Sequence, residues 1–256
     1  NRAYQYDFFF DNCATRERDV LEKVLGERLK FPAIQEGEYG SLRDLINGYM
    51  PHLQWTAFGI NILLGKTADQ VADRRSAMFL PDYLYKGVAA AQVQIDGKWQ
   101  PLVKAEKVLL DIPLIELAGG GFFSPGLVMG LLLVFVFAAT IMGFDEHPIF
   151  KVFDFLFFFL IGVLGVLMLF FWLATDHQST YMNFNMLWAV PTHLIFAFLI
   201  LIPKTRNLAH QYARYTIPLT FLFLLTSWWL LPQSTPGVAY ALAAALLVRL
   251  GKHAAT

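Results

Sequence analysis

The chain has 256 residues, 56% of them hydrophobic and only 16% charged, with 20 basic and 20 acidic side chains. A soluble domain carries about 25% charged residues, so an ordinary soluble protein is excluded for the chain as a whole. Zero net charge provides no electrostatic footprint for nucleic acid, and one cysteine cannot close an internal disulfide.

Taken in chain order, "YQYDFFF" predicts a strand, and "DNCATRERD" opens a helix that runs from Cys13 to about Leu29. Val20, Leu21, Val24, Leu25 and Leu29 fall on one face of that helix. Asp11 or Asn12 can cap it. Thr67 is expected to cap a helix starting at Ala68. "PDYLYKGVAAAQV" reads as helical with Pro81 at its start. "VQIDGKWQPLV" is a hairpin signal with Asp96-Gly97 as the turn.

Charge then disappears. Gly119 to Phe144 and Phe155 to Thr175 contain no Asp, Glu, Lys or Arg. Both runs exceed the roughly 18 apolar residues that cross a bilayer. Residues 1–116 read as a soluble-type domain and 117–256 as a membrane domain. Five spans are expected, at about 122–143, 152–174, 187–202, 215–232 and 237–250, the fifth being short. Asp154 is expected at the edge of the second, where a charge can snorkel.

Lys and Arg set the orientation. Lys204, Arg206 and Arg214 lie between spans three and four, and the tail after span five carries Arg249 and Lys252. Residues 175–186 and 233–237 carry no Lys or Arg. The basic loops are therefore expected in the cytoplasm, with residues 1–116 and the loop 175–186 together on the outer side.

Cys13 is the candidate nucleophile. In the first turn of a capped helix, free N–H groups and the positive dipole end favour a thiolate and can hold an oxyanion. Arg16 and Arg18 add positive charge nearby. The blander alternative is a small, inert, buried thiol. A cysteine nucleophile needs a base. His52 is the one histidine of the soluble part; His177 stands beside Asp176 in "TDHQSTYMNFNMLW", with Asn183 and Asn185 following. That stretch is either an acid–base group or a polar loop that ends two spans. Paired His or Cys spacing for a metal is lacking, and no cofactor is expected.

"YDFFFDNCATRERD", "FGINILLGKTAD" (58–69) and "SAMFLPDYL" (76–84) resemble the extracytoplasmic domain of the Lnb-type bacterial lipoprotein N-acyltransferases. The loop "TDHQSTYMNFNMLW" is similar as well. The resemblance implies part of an α+β papain-like domain of the permuted NlpC type, followed by an all-α bundle of four to five transmembrane helices. It implies that Cys13 carries an acyl chain as a thioester. The residues themselves offer Asp11, Asn12, Arg16, Asp176, Asn183 and Asn185 as support and His177 as candidate base. The implied substrates are a membrane phospholipid or a diacylglyceryl lipoprotein, and the implied place is the bacterial inner membrane, with residues 1–116 in the periplasm. In permuted papain-like folds the histidine precedes the cysteine. No histidine precedes Cys13, so the chain is expected to be cut at its N-terminus, with the catalytic histidine missing.

Two other classes use the same residues differently. A membrane-anchored NlpC-type peptidase or amidase acting on cell-wall peptide also needs Cys13, but only one anchor. A transporter or scaffold needs no thiol; the expected spans carry no central charge, which counts against an ion pathway.

Overall fold

A computed structural model of the protein describes residues 4–32, 39–110, 123–144 and 147–255. The chain forms two compact units that are interleaved in sequence. The first comprises Asn1–His52, Ala68–Gly119 and His177–Ser179; the second comprises Leu53–Thr67, Gly120–Asp176 and Thr180–Thr256.

In the first unit, α1 (Cys13–Leu25), α2 (Leu42–Asn47), α4 (Arg74–Ala77) and α5 (Pro81–Ala89) accompany a three-stranded antiparallel sheet. The sheet has the order β1 (Leu29–Lys30), β2 (Gln92–Ile95), β3 (Lys98–Pro101). Asp96 and Gly97 both have positive φ, as the tight turn between β2 and β3 requires, and Ile95 pairs with Lys98 across it. Three of the helices start with the same reciprocal device. The N-cap side chain accepts a backbone N–H three residues on, and that residue's side chain accepts the N-cap N–H: Asn12 with Thr15, Ser41 with Asp44, Asp73 with Ser76. Pro81 occupies the first turn of α5.

Several expectations are corrected here. "YQYDFFF" is not a strand. Asp7 and Asp11 form an isolated bridge around a turn, and Asp7 Oδ1 accepts the N–H groups of Phe9 (3.0 Å) and Phe10 (2.9 Å). A short acid that hydrogen-bonds the backbone two and three residues on overrides the extended preference of aromatic residues. The helix ends at Leu25 because Gly26 takes φ 53°, and Leu29 continues as a strand. Its inward face is Ala14, Thr15 and Arg18, while Val20 and Val24 are exposed. Thr67 lies inside a 3-10 turn, Lys66–Asp69, rather than capping a helix.

The second unit contains α3 (Gln54–Leu63), α6 (Pro125–Ile141), α7 (Pro148–Leu173), α8 (His193–Leu199), α9 (Arg206–Thr226) and α10 (Gly237–Ala255). Among the described residues, α7 and α10 are long and apolar enough to cross a membrane, and α6 is apolar but shorter. The third expected span, 187–202, holds only the seven residues of α8. A 3-10 turn, Phe184–Leu187, and Pro191 precede it. Pro203 follows, and a proline disfavours helix in the residue before it. The fourth helix begins nine residues before the expected 215 and ends at Thr226, with Pro218 inside it.

Glycines set the closest approach in this unit. A Cβ on Gly162 would lie 2.1 Å from Leu194 N, and one on Gly165 would lie 2.3 Å from Ala189 O. The backbone of α7 therefore meets α8 and the turn before it with no side chain between.

Asp154 is not at an edge. It is buried in α7 and forms a two-point ion pair with the equally buried Arg249 of α10, 2.7 Å at both contacts. His253 Nε2 (2.9 Å to Asp154) and Thr140 Oγ1 (2.8 Å from Arg249) complete the cluster. Helix α7 starts four residues earlier than expected and α10 runs five further, so both charges lie within helices. A charge buried this deeply needs a geometrically matched partner.

Candidate functional site

The site is built on the start of α1. Asn12 is buried, and its side chain makes three bonds. Oδ1 accepts from Thr15 N (2.9 Å), and Nδ2 donates to Phe8 O and Phe79 O (2.9 Å each). Thr15 Oγ1 accepts from Asn12 N at 2.8 Å. Of the two candidate caps, Asn12 takes the role. Phe9 packs edge-on against Phe79 with ring centres 5.1 Å apart, fixing the lead-in to the helix against the segment before α5.

Cys13 is the first helical residue, and it is exposed. The first intrahelical bond runs from Arg16 N to Asn12 O, and Asn12 takes the Thr15 N–H. Among the described residues, the N–H groups of Cys13 and Ala14 have no protein acceptor. Two donors beside a thiol are the elements of an oxyanion hole.

The other supporting residues are arranged differently from expectation. Asp11 pairs with Arg16 at two points, 2.6 and 2.9 Å. That bond holds the Asp11 carboxyl below the usual carboxylate range. Arg18 is buried, donating to Arg75 O (2.7 Å) and to Asp19 (2.6 Å). Both arginines are thus matched to acceptors of their own and leave little charge for Cys13.

Cys13 lines a cleft of about 430 Å³ between α1, α5 and the segment after β3. Its walls are apolar: Ala14 and Leu21 from α1, Leu84 and Val88 from α5, and Val103. The size lies within the roughly 300–1,000 Å³ of small-molecule pockets. The charged groups on the lining are Glu17 and Glu106. Glu17 stands four residues after Cys13 on the same helical face, and the Tyr85 hydroxyl donates to Glu106. Glu17 was legible in that spacing; Tyr85 and Glu106 join the site only through tertiary structure.

The histidines and the amides divide. His52 is exposed in the turn after α2, and His177 is exposed beside a 3-10 turn, Gln178–Thr180. Among the described residues neither is hydrogen-bonded to Cys13. Asp176 belongs to the second unit and His177 to the first. Asn183 and Asn185 are buried in the second unit, where they terminate α3. Asn183 Nδ2 donates to Ile62 O (2.7 Å) and Leu63 O (3.1 Å), and Asn185 Nδ2 donates to Ile62 O (3.1 Å). Gln233 Nε2 reaches Leu64 O (3.1 Å). Helix-end carbonyls lack intrahelical donors, and these three amides supply them.

Residues 118–256, more than half of the chain, match the family model of the Lnb transmembrane domain. The chain belongs to the Lnb family. No curated protein and no solved structure matches it. The Lnb match and the two long apolar helices make this a membrane protein. The match begins beyond the cleft, so the membrane helices carry the family identity and the cysteine unit carries the candidate chemistry.

Proposed function

We propose that this Lnb-family protein is a membrane-bound acyltransferase that moves a fatty acyl chain, through a thioester on Cys13, to the N-terminal amine of bacterial lipoproteins. The observation that carries this reading is the exposed Cys13 at the first position of a capped helix, lining an apolar cleft. The donor is an ester of a membrane phospholipid or of a lipoprotein diacylglyceryl group. The papain-like, permuted NlpC-type assignment of the cysteine unit belongs to the same proposal. So does its place on the periplasmic side of the inner membrane, with the C-terminus in the cytoplasm.

The reaction has two steps. The Cys13 thiolate attacks the ester carbonyl; a C–S bond forms, the ester C–O bond breaks, and the alcohol leaves with a proton. The lipoprotein amine then attacks the thioester; a C–N bond forms, the C–S bond breaks, and the amine proton is released. In this reading the N–H groups of Cys13 and Ala14, which have no acceptor among the described residues, receive the oxyanion of each step. A membrane domain suits such a reaction. Exposing a chain of about 16 carbons to water costs on the order of 12 kcal/mol, at about 0.8 per methylene. A thiol held at the bilayer surface avoids that exposure.

The test uses the full-length protein in phospholipid vesicles with a diacylated lipopeptide bearing a free N-terminal cysteine. Mass spectrometry is expected to find the N-acylated product and a hydroxylamine-labile acyl group on Cys13. Both disappear in Cys13→Ser. Unchanged product formation in that variant rejects the reading, and cleaved muropeptide without acylated product replaces it with a cysteine peptidase. His177→Ala is expected to lower turnover while the protein stays inserted; normal turnover assigns His177 to the loop alone.

A further inference from the structure

We propose that the Cys13 cleft selects a cationic acceptor, with Glu17 and Glu106 holding the primary ammonium of the incoming amine. This rests on the acyltransferase reading and names the acceptor chemistry of that site.

The charged side chains on the cleft lining are these two carboxylates, and the rest of the wall is largely apolar. Among the described residues neither Glu17 nor Glu106 is in an ion pair. Three arginines near α1 are engaged elsewhere: Arg16 with Asp11, and Arg18 and Arg75 with Asp19, Arg75 also with Glu22. The Tyr85 hydroxyl donates to Glu106 and fixes that carboxylate at the cleft, leaving its remaining lone pairs to accept. Glu17 lies one helical turn from Cys13, within the roughly 5–6 Å that separates such neighbours.

This charge pattern suits the second step of the reaction. Once acylated, Cys13 is neutral, and the two carboxylates are left to the incoming acceptor. An α-amine with a pKa of about 8 is mostly ammonium at neutral pH. The carboxylates concentrate it within reach of the thioester carbonyl. Loss of one proton then frees the lone pair that attacks. C–N forms, C–S breaks, Cys13 leaves as the thiol, and one proton is released overall. An anionic acceptor meets repulsion at the same place.

The experiment uses full-length protein in zwitterionic phospholipid vesicles with the same diacylated lipopeptide. It compares wild type, Glu17→Gln, Glu106→Gln and the double variant. The acyl group on Cys13, read by mass spectrometry with an N-acetylated diacylated lipopeptide that can donate but not accept, reports the first step; KM for the free-amine lipopeptide reports acceptor capture. Acyl-Cys13 is expected to form in all four. KM is expected to rise roughly three- to tenfold in the double variant, and the wild type's rise of KM with salt to flatten there. Glu17→Lys raises KM further. If acyl-Cys13 forms normally and KM and its salt dependence are unchanged in the double variant, the carboxylates have no role in acceptor capture and this inference is overturned. If wild type forms no acyl-Cys13, the acyltransferase reading itself fails and the inference falls with it.

Discussion

Asn12 and Thr15 cap each other, with Thr15 N to Asn12 Oδ1 at 2.9 Å and Asn12 N to Thr15 Oγ1 at 2.8 Å. The pair holds Cys13 at the first helical position, and the second nitrogen-borne arm of Asn12 ties the same point to Phe8 O and Phe79 O. Asn12→Ala is expected to lose the cap and to leave both carbonyls without their donor. The cost is roughly 2–4 kcal/mol. Asn12→Asp keeps an acceptor for Thr15 N but loses the two donors, and costs about half as much. Denaturant unfolding of the two variants checks the order; equal costs would assign the whole effect to the two lost Nδ2 donors rather than to the cap.

The Asp154–Arg249 pair predicts a sharp asymmetry. Removing one partner leaves a buried charge unmatched, which costs roughly 3–5 kcal/mol, whereas replacing both with apolar side chains of similar size is near neutral. Arg249→Met and Asp154→Leu are each expected to lower the melting temperature in detergent strongly, and the double variant to recover most of the loss. A double variant as unstable as the sum of the singles would mean that Thr140 and His253 need the pair to stay ordered.

Two glycines in the membrane helices separate packing from propensity. Gly162 faces Leu194 N at 2.1 Å from where its Cβ would be, whereas Gly130 in α6 has open space there. Gly162→Ala is expected to destabilise the second unit by about 1–3 kcal/mol through overpacking. Gly130→Ala is expected to be neutral or slightly stabilising, because alanine is the better helix former. Thermal unfolding in detergent measures both.

Acid sensitivity is expected from the caps of the cysteine unit. The carboxyl of Asp44 is held below its ordinary value by the Ser41 N–H and then by the Ser41 hydroxyl; that of Asp73 is lowered chiefly by the Ser76 hydroxyl. A carboxyl whose folded pKa lies below the unfolded value of about 4 binds fewer protons when folded. Its stabilisation is fully present above that value and is lost as pH falls through the folded pKa. Stability is therefore expected to be flat near neutrality and to drop below about pH 4. Asp44→Asn and Asp73→Asn are each expected to flatten the acid limb, measured as unfolding midpoint against pH.

Local chemistry was readable where one interaction decides the outcome. Asp96-Gly97 makes a tight turn because both residues accept positive φ, and Pro81 starts α5 because its missing N–H is not needed there. The Phe8–Phe10 run misled because aromatic residues favour strands on average, while one side chain, Asp7, folds these three into a turn. The helix around Cys13 was legible, but its buried face was not: Val20 and Val24 look like core residues and are exposed, while Arg18 is buried because Asp19 and Arg75 O await it. Asp154 and Arg249 are 95 residues apart in the chain, and their pairing follows only from packing α7 against α10. For the site, Cys13 and Asn12 were legible in one short string. The cleft that gives the thiol an apolar neighbourhood depends on α5 and on Val103 and Glu106, which no local pattern links to Cys13.

The amide clasp on α3 constrains the order of assembly. Residues 53–67 leave the ribosome long before Asn183, Asn185 and Gln233, yet the carbonyls of Ile62, Leu63 and Leu64 obtain their donors from those three side chains. Until the third and fourth hydrophobic segments are made, the end of α3 has only water or lipid headgroups as partners. A nascent chain stopped before Asn183 should expose residues 53–67 to protease, and one extended past Gln233 should protect them. Splitting the gene at the border between charged and apolar sequence would sever the second unit from its own first helix.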